Sequence, residues 1–127
     1  MDRVTHDLTS LALRHALDGA AARQGVAAEN LANLETPGYR PRLVDFESQL
    51  REALEAASDG DLADLQHVSP RRSIYAGPAL RRDGNAVDLE TEMSELVESG
   101  LQYQVLTRLL SRRLQMLRSV ATEGGRL

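Results

Sequence analysis

The 127-residue sequence has no cysteine, no tryptophan and no lysine, and Phe46 is its one phenylalanine. Without cysteine there are no disulfide scaffolds, thiolate metal sites or cysteine nucleophiles. Without lysine there is no Schiff-base residue and no P-loop cation, since all 15 basic residues are Arg. Aromatics make up only 3% of the chain. A core must therefore be built from Leu and Ala, which suits helix seams better than a sheet sandwich. No run approaches the roughly 20 apolar residues of a membrane-spanning helix. The opening Met1-Asp2-Arg3-Val4-Thr5-His6-Asp7 lacks a basic region followed by an apolar run, so no ordinary secretory signal is expected. A net charge of -4 argues against a nucleic-acid binder. The pairs Arg71-Arg72, Arg81-Arg82 and Arg112-Arg113 have acids nearby and no interleaved stacking aromatics.

What is present is helical periodicity. A first segment over about residues 4–34 carries a seam through Leu13, Leu17, Ala20, Gln24, Ala27, Leu31 and Leu34, in alternating steps of four and three. Small residues crowd it, and Gly19 and Gly25 should each cost about 1 kcal/mol relative to Ala in a helix interior. Pro37-Gly38 ends the segment. Asp45 is a plausible cap for a short second helix, with Phe46, Leu50 and Leu54 on one face through about Ala57. Residues 58–86 are dense in breakers (Asp59-Gly60-Asp61, Ser69-Pro70, Gly77-Pro78, Asp83-Gly84-Asn85) and read as a variable linker or surface segment, with a weak signal for a strand or β-hairpin around Ser73 to Leu80. The strongest signal covers about residues 88–122. There Leu89, Met93, Leu96, Gly100, Tyr103, Thr107, Leu110, Leu114, Leu117 and Ala121 repeat every three and four, and Val97, Leu101, Leu106 and Leu109 widen the stripe. Asp88 can cap its start and Gly124-Gly125 its end. Acids fall in its first half and arginines in its second, as the helix macrodipole favours.

The expected fold is mainly α: long N- and C-terminal helices (1–34 and 87–127) pair antiparallel as one coiled-coil-like unit. A motif loop and short helix (35–57) and the irregular segment 58–86 join them. A helix of about 35 residues is about 50 Å long. The Ala-rich partner covers only part of so wide a stripe, so the remainder must meet another copy or another protein.

Catalysis finds no constellation. His6-Asp7, His15 and His67 are the only histidine candidates, and no HExxH, GxSxG, Walker or phosphate-loop pattern occurs. The acids Glu90, Glu92, Glu95 and Glu98 read as a solvated helix face. No catalytic, cofactor or metal residue is assigned, and neither a small-molecule substrate nor nucleic acid is expected as a partner.

The most specific short run is Asn30-Leu31-Ala32-Asn33-Leu34-Glu35-Thr36-Pro37-Gly38-Tyr39-Arg40. Asn30 and Asn33 lie one turn apart, with amides able to hold loop backbone. Thr36 before proline is pushed to an extended conformation, Pro37-Gly38 makes the turn, and Tyr39 anchors it.

This run resembles the flagellar axial family of rod and hook proteins, marked by a long N-terminal helix ending in ANxxTPGY[RK] and followed by a Phe-containing segment. The matching residues are Ala32, Asn33, Thr36, Pro37, Gly38, Tyr39, Arg40 and Phe46. Asp83 to Glu90 and Leu101 to Arg113 are similar to the short members of the proximal rod. The paralogous FlgC-type rod proteins share the first motif but usually carry a different C-terminal helix. A FlgC-type protein, or a helical adaptor unrelated to flagella, are the alternatives. The resemblance implies a structural subunit exported through the flagellar type III gate without a cleaved signal, located in the rod of the basal body in the periplasmic space. It also implies partners: its own copies, other rod proteins (FlgC-like and FlgF-like), the adaptor FliE and the membrane ring. Assembly would rest on the motif residues with Asn30, and on the seam Leu13, Leu17, Leu31, Leu89, Met93, Leu96, Tyr103, Leu110, Leu114 and Leu117.

Overall fold

Two long helical repeats separated by proline- and glycine-rich segments favour a helical pair with a small insert. That is the architecture in the computed structural model, which describes residues 2–57 and 62–124. In chain order the elements are α1 (Asp2–Ala32), β1 (Arg42–Asp45), α2 (Glu47–Ala57), α3 (Ala63–Gln66), β2 (Arg71–Ile74) and α4 (Leu89–Gly124). α1 and α4 run antiparallel: Arg113 Nε donates to Ser10 Oγ at 3.1 Å, and Arg23 pairs with Glu95 at the other end.

α1 turns Ala20, Val26, Ala27 and Asn30 inward, with Leu13, Leu17 and Leu31 half-buried, while Gln24 is exposed. On α4 the inward row is Glu92, Leu96, Ser99, Leu106, Leu110, Arg113 and Leu117. This row keeps Leu96, Leu110 and Leu117 of the expected seam. It replaces Met93, Gly100, Thr107 and Leu114 with the residues immediately before them. The reason is steric: the small face of α1 lets α4 approach closely, which favours a compact residue such as Ser99 at the contact. Ser99 Oγ is satisfied within its own helix by Glu95 O at 2.6 Å. Bulkier side chains turn outward, leaving Leu89, Met93, Tyr103 and Leu114 between 42% and 49% exposed.

Both expected N-terminal caps form. Asp45 accepts from Ser48 N and Oγ at the start of α2. Asp88 accepts from Thr91 Oγ1 at 2.7 Å and Glu90 N at 3.3 Å at the start of α4. Phe46 is buried, with Leu50 and Leu54 half-buried on the same side. Asp59-Gly60-Asp61 and Gly125 lie outside the described residues.

The middle differs from a local hairpin at 73–80. β2 begins at Arg71, and its partner β1 precedes α2 in the chain; the pairing is antiparallel with Arg42 opposite Ile74 and Asp45 opposite Arg71. Two-residue periodicity is too short in either strand to announce a pairing made across two intervening helices. The segment also contributes to the core, since Leu65 is fully buried alongside Ala53 and Ala57.

Candidate functional site

At the end of α1 the last carbonyls need partners that the helix cannot supply. Part of the solution is local. Asn33 Nδ2 donates to Glu29 O at 2.9 Å, Thr36 Oγ1 donates to Asn33 Oδ1 at 3.1 Å, and Tyr39 N donates to Thr36 O at 3.2 Å. Gly38 adopts a left-handed φ of 72°, which its lack of a Cβ permits.

The rest comes from the segment leading into α4. Asn85, fully buried, donates from Nδ2 to Asn33 O at 3.0 Å and Thr36 O at 2.7 Å. Its Oδ1 accepts from Val87 N at 2.8 Å and Arg81 Nη2 at 2.9 Å. Arg81 also donates to Leu34 O. Gly38 N donates to Asp83 O at 2.9 Å, and Ala86 N to Tyr39 O at 3.0 Å. Gly84, with φ 85°, packs so closely on Gly38 that an added Cβ would lie 3.3 Å from the Gly38 Cα. The two motifs singled out in the sequence, Asn30 to Arg40 and Asp83 to Glu90, thus form one clasp although they are far apart along the chain. Asn85 and Arg81 were absent from the residues assigned to assembly. The signal for Asn85 was available in the Asp83-Gly84-Asn85 turn; Arg81 had none beyond its charge.

Asn30 binds the next layer. Its side chain is 1% exposed and mimics a neighbouring strand, donating to Arg42 O at 2.9 Å and accepting from Arg42 N at 3.0 Å. Tyr39 OH donates to the same Oδ1 at 3.2 Å. Burial, with the Glu29 carboxylate nearby, raises the Tyr39 hydroxyl above the usual phenol range, so it stays a donor. Arg40 reaches across to Gly77 O at 2.6 Å. Glu92 closes the cluster from α4 and is 7% exposed, which corrects the solvated-face reading for that residue. Burial raises its carboxyl above the ordinary range; a hydrogen bond from Asn30 opposes this, and Glu95 and Asp88 add to it.

Phe46 fixes the motif to the middle of α1. Its ring lies flat on Gly19, where a Cβ would come closer than 3.0 Å. The Arg23 guanidinium covers the ring at 4.9 Å from the centroid and bridges to Glu47 at 2.7 Å.

Of the assigned residues, the structure brings Asn30, Asn33, Thr36, Gly38 and Tyr39 into this clasp, sets Arg40 and Phe46 at its borders, and leaves Pro37 exposed. The seam residues divide, some between α1 and α4 and others facing outward. The chemistry is structural: amide, hydroxyl and guanidinium hydrogen bonds close the helix end and position α4 against α1. His15 lies at the edge of the helix pair and His67 is exposed, well separated along the chain. The His6 side chain lies outside the described residues. Among the described residues no group of three or more His, Asp or Glu could hold a metal ion, and no helix is long and apolar enough to cross a membrane.

No family model matches the chain. Curated relatives do. The chain is similar to the flagellar basal body rod protein FlgB of Escherichia coli K12, at 31% identity covering 88% of this chain and 91% of that protein. It is 32% identical to the protein of the same name from Bacillus subtilis, over 88% and 92% of the respective chains. With its namesake from Borrelia hermsii the identity is 32% over 73% and 80%.

Proposed function

The chain belongs to the FlgB family of flagellar basal body rod proteins, and from that premise we propose how its surfaces serve the rod. It is a structural subunit of the flagellar basal body rod, assembling with other rod proteins. The observation that carries the mechanism is the flank of α4 that its own chain leaves open: Leu89, Met93, Val97, Leu101, Val105, Leu109, Leu114, Met116 and Val120 are each between 47% and 69% exposed. Large apolar side chains left exposed along one helix in this number mark contact surface. In our reading α1 and α4 form an inner layer whose outward flank meets neighbouring subunits, and the clasp fixes the angle at which the motif loop is offered to them. The assembly residues are the motif set Asn30, Asn33, Thr36, Pro37, Gly38, Tyr39, Arg40 and Phe46, with the outward part of the seam. The finer placement we propose is the proximal rod, next to FlgC-like and FlgF-like rod proteins, the adaptor FliE and the membrane ring. The route is the flagellar type III export gate into the periplasmic space, with no cleaved signal. No catalytic step is assigned.

The test is Leu114→Asp in the motile host. Because Leu114 is 48% exposed, the helix content of the purified variant should match the parent. Swimming should be lost and rod assembly should stop. Undiminished swimming with the variant incorporated into basal bodies would remove the outward flank from the assembly surface.

A further inference from the structure

We propose that the free edge of β2 is a strand-addition site, which takes an extended acidic segment of a neighbouring protein. The neighbour is sought in the rod, on the family reading above, but the α4 flank plays no part.

The ladder decides which backbone groups are free. Tyr75 N donates to Pro41 O at 2.9 Å, so in this antiparallel register Pro41 and Tyr75 are a hydrogen-bonded pair. Alternate pairs repeat the pattern: Leu43 with Ser73, and Asp45 with Arg71. The pairs between them, Arg42 with Ile74 and Val44 with Arg72, turn their amides and carbonyls away from each other toward the two edges. The β1 edge is closed at Arg42, whose N–H and C=O are both held by the buried Asn30 side chain. The β2 edge is open. Among the described residues nothing bonds the N–H or C=O of Arg72 or Ile74, and all four residues of β2 are exposed.

Charge then says what fits. Arg71 lies opposite Asp45, whereas Arg72 lies opposite Val44, and no described residue forms an ion pair with Arg72. The two residues with outward backbone groups therefore also present a guanidinium without a counter-charge and, at Ile74, an apolar side chain that is 65% exposed. An incoming strand meets them with a carboxylate opposite Arg72 and an apolar residue two positions away, opposite Ile74. Opposite charges directly across strands are favourable. Backbone bonds to both residues give affinity, and the alternation of acid and apolar side chains gives selectivity. A second copy is a poor match: its β1 edge is closed by Asn30, and its β2 edge carries the same positive charge. Charge on an edge can also serve only to keep other strands away. In that case proline at Ile74, which blunts an edge in the same way, is harmless.

The test is therefore Ile74→Pro in the motile host. It removes the outward N–H and leaves the Ser73 and Tyr75 amides in the ladder, the placement in which an edge strand tolerates proline. The purified variant should keep the parent's helix content, and swimming should be lost. Ile74→Thr, which keeps the amide, should swim like the parent. Arg72→Glu, which leaves the backbone untouched, should impair swimming. A photo-crosslinking phenylalanine analogue in place of Ile74 should link, in isolated basal bodies, to an extended segment with a carboxylate two residues from the linked position. Replacing that carboxylate with Arg should restore swimming to Arg72→Glu. Parental swimming of Ile74→Pro, failure of Ile74→Thr to the same degree, or a link into a helix or into β2 of a second copy overturns the proposal. With the parent chain present in the same basal bodies, each of those results leaves the rod reading standing.

Discussion

Replacing Gly19 with alanine should destabilise this protein, although helix propensity alone gives the opposite sign. In an α-helix interior, Gly→Ala is worth about 1 kcal/mol of stabilisation. At Gly25 nothing lies within 4 Å of an added Cβ, so Gly25→Ala should deliver roughly that gain. At Gly19 the new methyl would overlap the Phe46 ring. The ring is itself held by Arg23, which is tied to Glu47 and Glu95. Displacing a packed ring by overpacking costs about 1–3 kcal/mol. Expelling it from a site where it is 7% exposed approaches the roughly 3–5 kcal/mol of a Phe→Ala truncation. Offset by the propensity gain, the net loss should be about 1–3 kcal/mol, separating the two alanine variants by about 2–4 kcal/mol. Urea unfolding followed by circular dichroism resolves such a difference. A Phe46→Ala background supplies the control, since Gly19→Ala should become stabilising there. If Gly19→Ala raises stability as much as Gly25→Ala in the parent, the packing of Phe46 on α1 is wrong.

Asn85→Ala should cost about 1–3 kcal/mol, because it leaves the buried Val87 amide without its acceptor and removes one of two donors from Asn33 O and Thr36 O, which keep the Thr36 and Tyr39 amides. Asn85→Asp should be no better, since it keeps the acceptors but loses the donor and sets a negative charge at the negative end of α1; full stability of Asn85→Asp by chemical denaturation would discount the clasp. Tyr39→Phe removes one neutral hydrogen bond to Asn30 and should cost about 0.5–1.5 kcal/mol by thermal melting. Glu92 supplies a pH dependence. Its folded pKa is raised, so between the ordinary carboxylate range and that raised value the folded chain holds a proton that the unfolded chain has lost, and stability falls as pH rises through this window. Glu92→Gln should flatten that slope and exceed the parent in stability at neutral pH; an unchanged slope in melts across mildly acid pH would place the effect elsewhere.

Much of the site was readable from residue type. Asn30, Thr36-Pro37-Gly38 and Tyr39 announce a helix end with a held loop, and Asp45 and Asp88 announce helix starts, because capping and turn chemistry act over a few residues. The join between this loop and Asp83-Gly84-Asn85 was not readable, since no local pattern specifies which distant turn closes a given helix end. β1 and its pairing escaped for the same reason, while β2 was caught only at its end by the weak strand signal from Ser73. Each is four residues long, and each exists only because the other is brought alongside it.

Residue order was enough to specify two long helices around a breaker-rich middle, with more apolar surface on the second helix than the first can cover. Periodicity, scarcity of aromatics and charge segregation along the second helix are properties of the string. Tertiary structure alone decided which side of α4 turns inward. Two seams one residue apart have nearly equal claims in a four-and-three repeat, and the choice falls to the shape of the partner. The small face of α1, where Gly19 makes room for Phe46, buries Ser99 fully and leaves Met93 and Leu114 about half exposed.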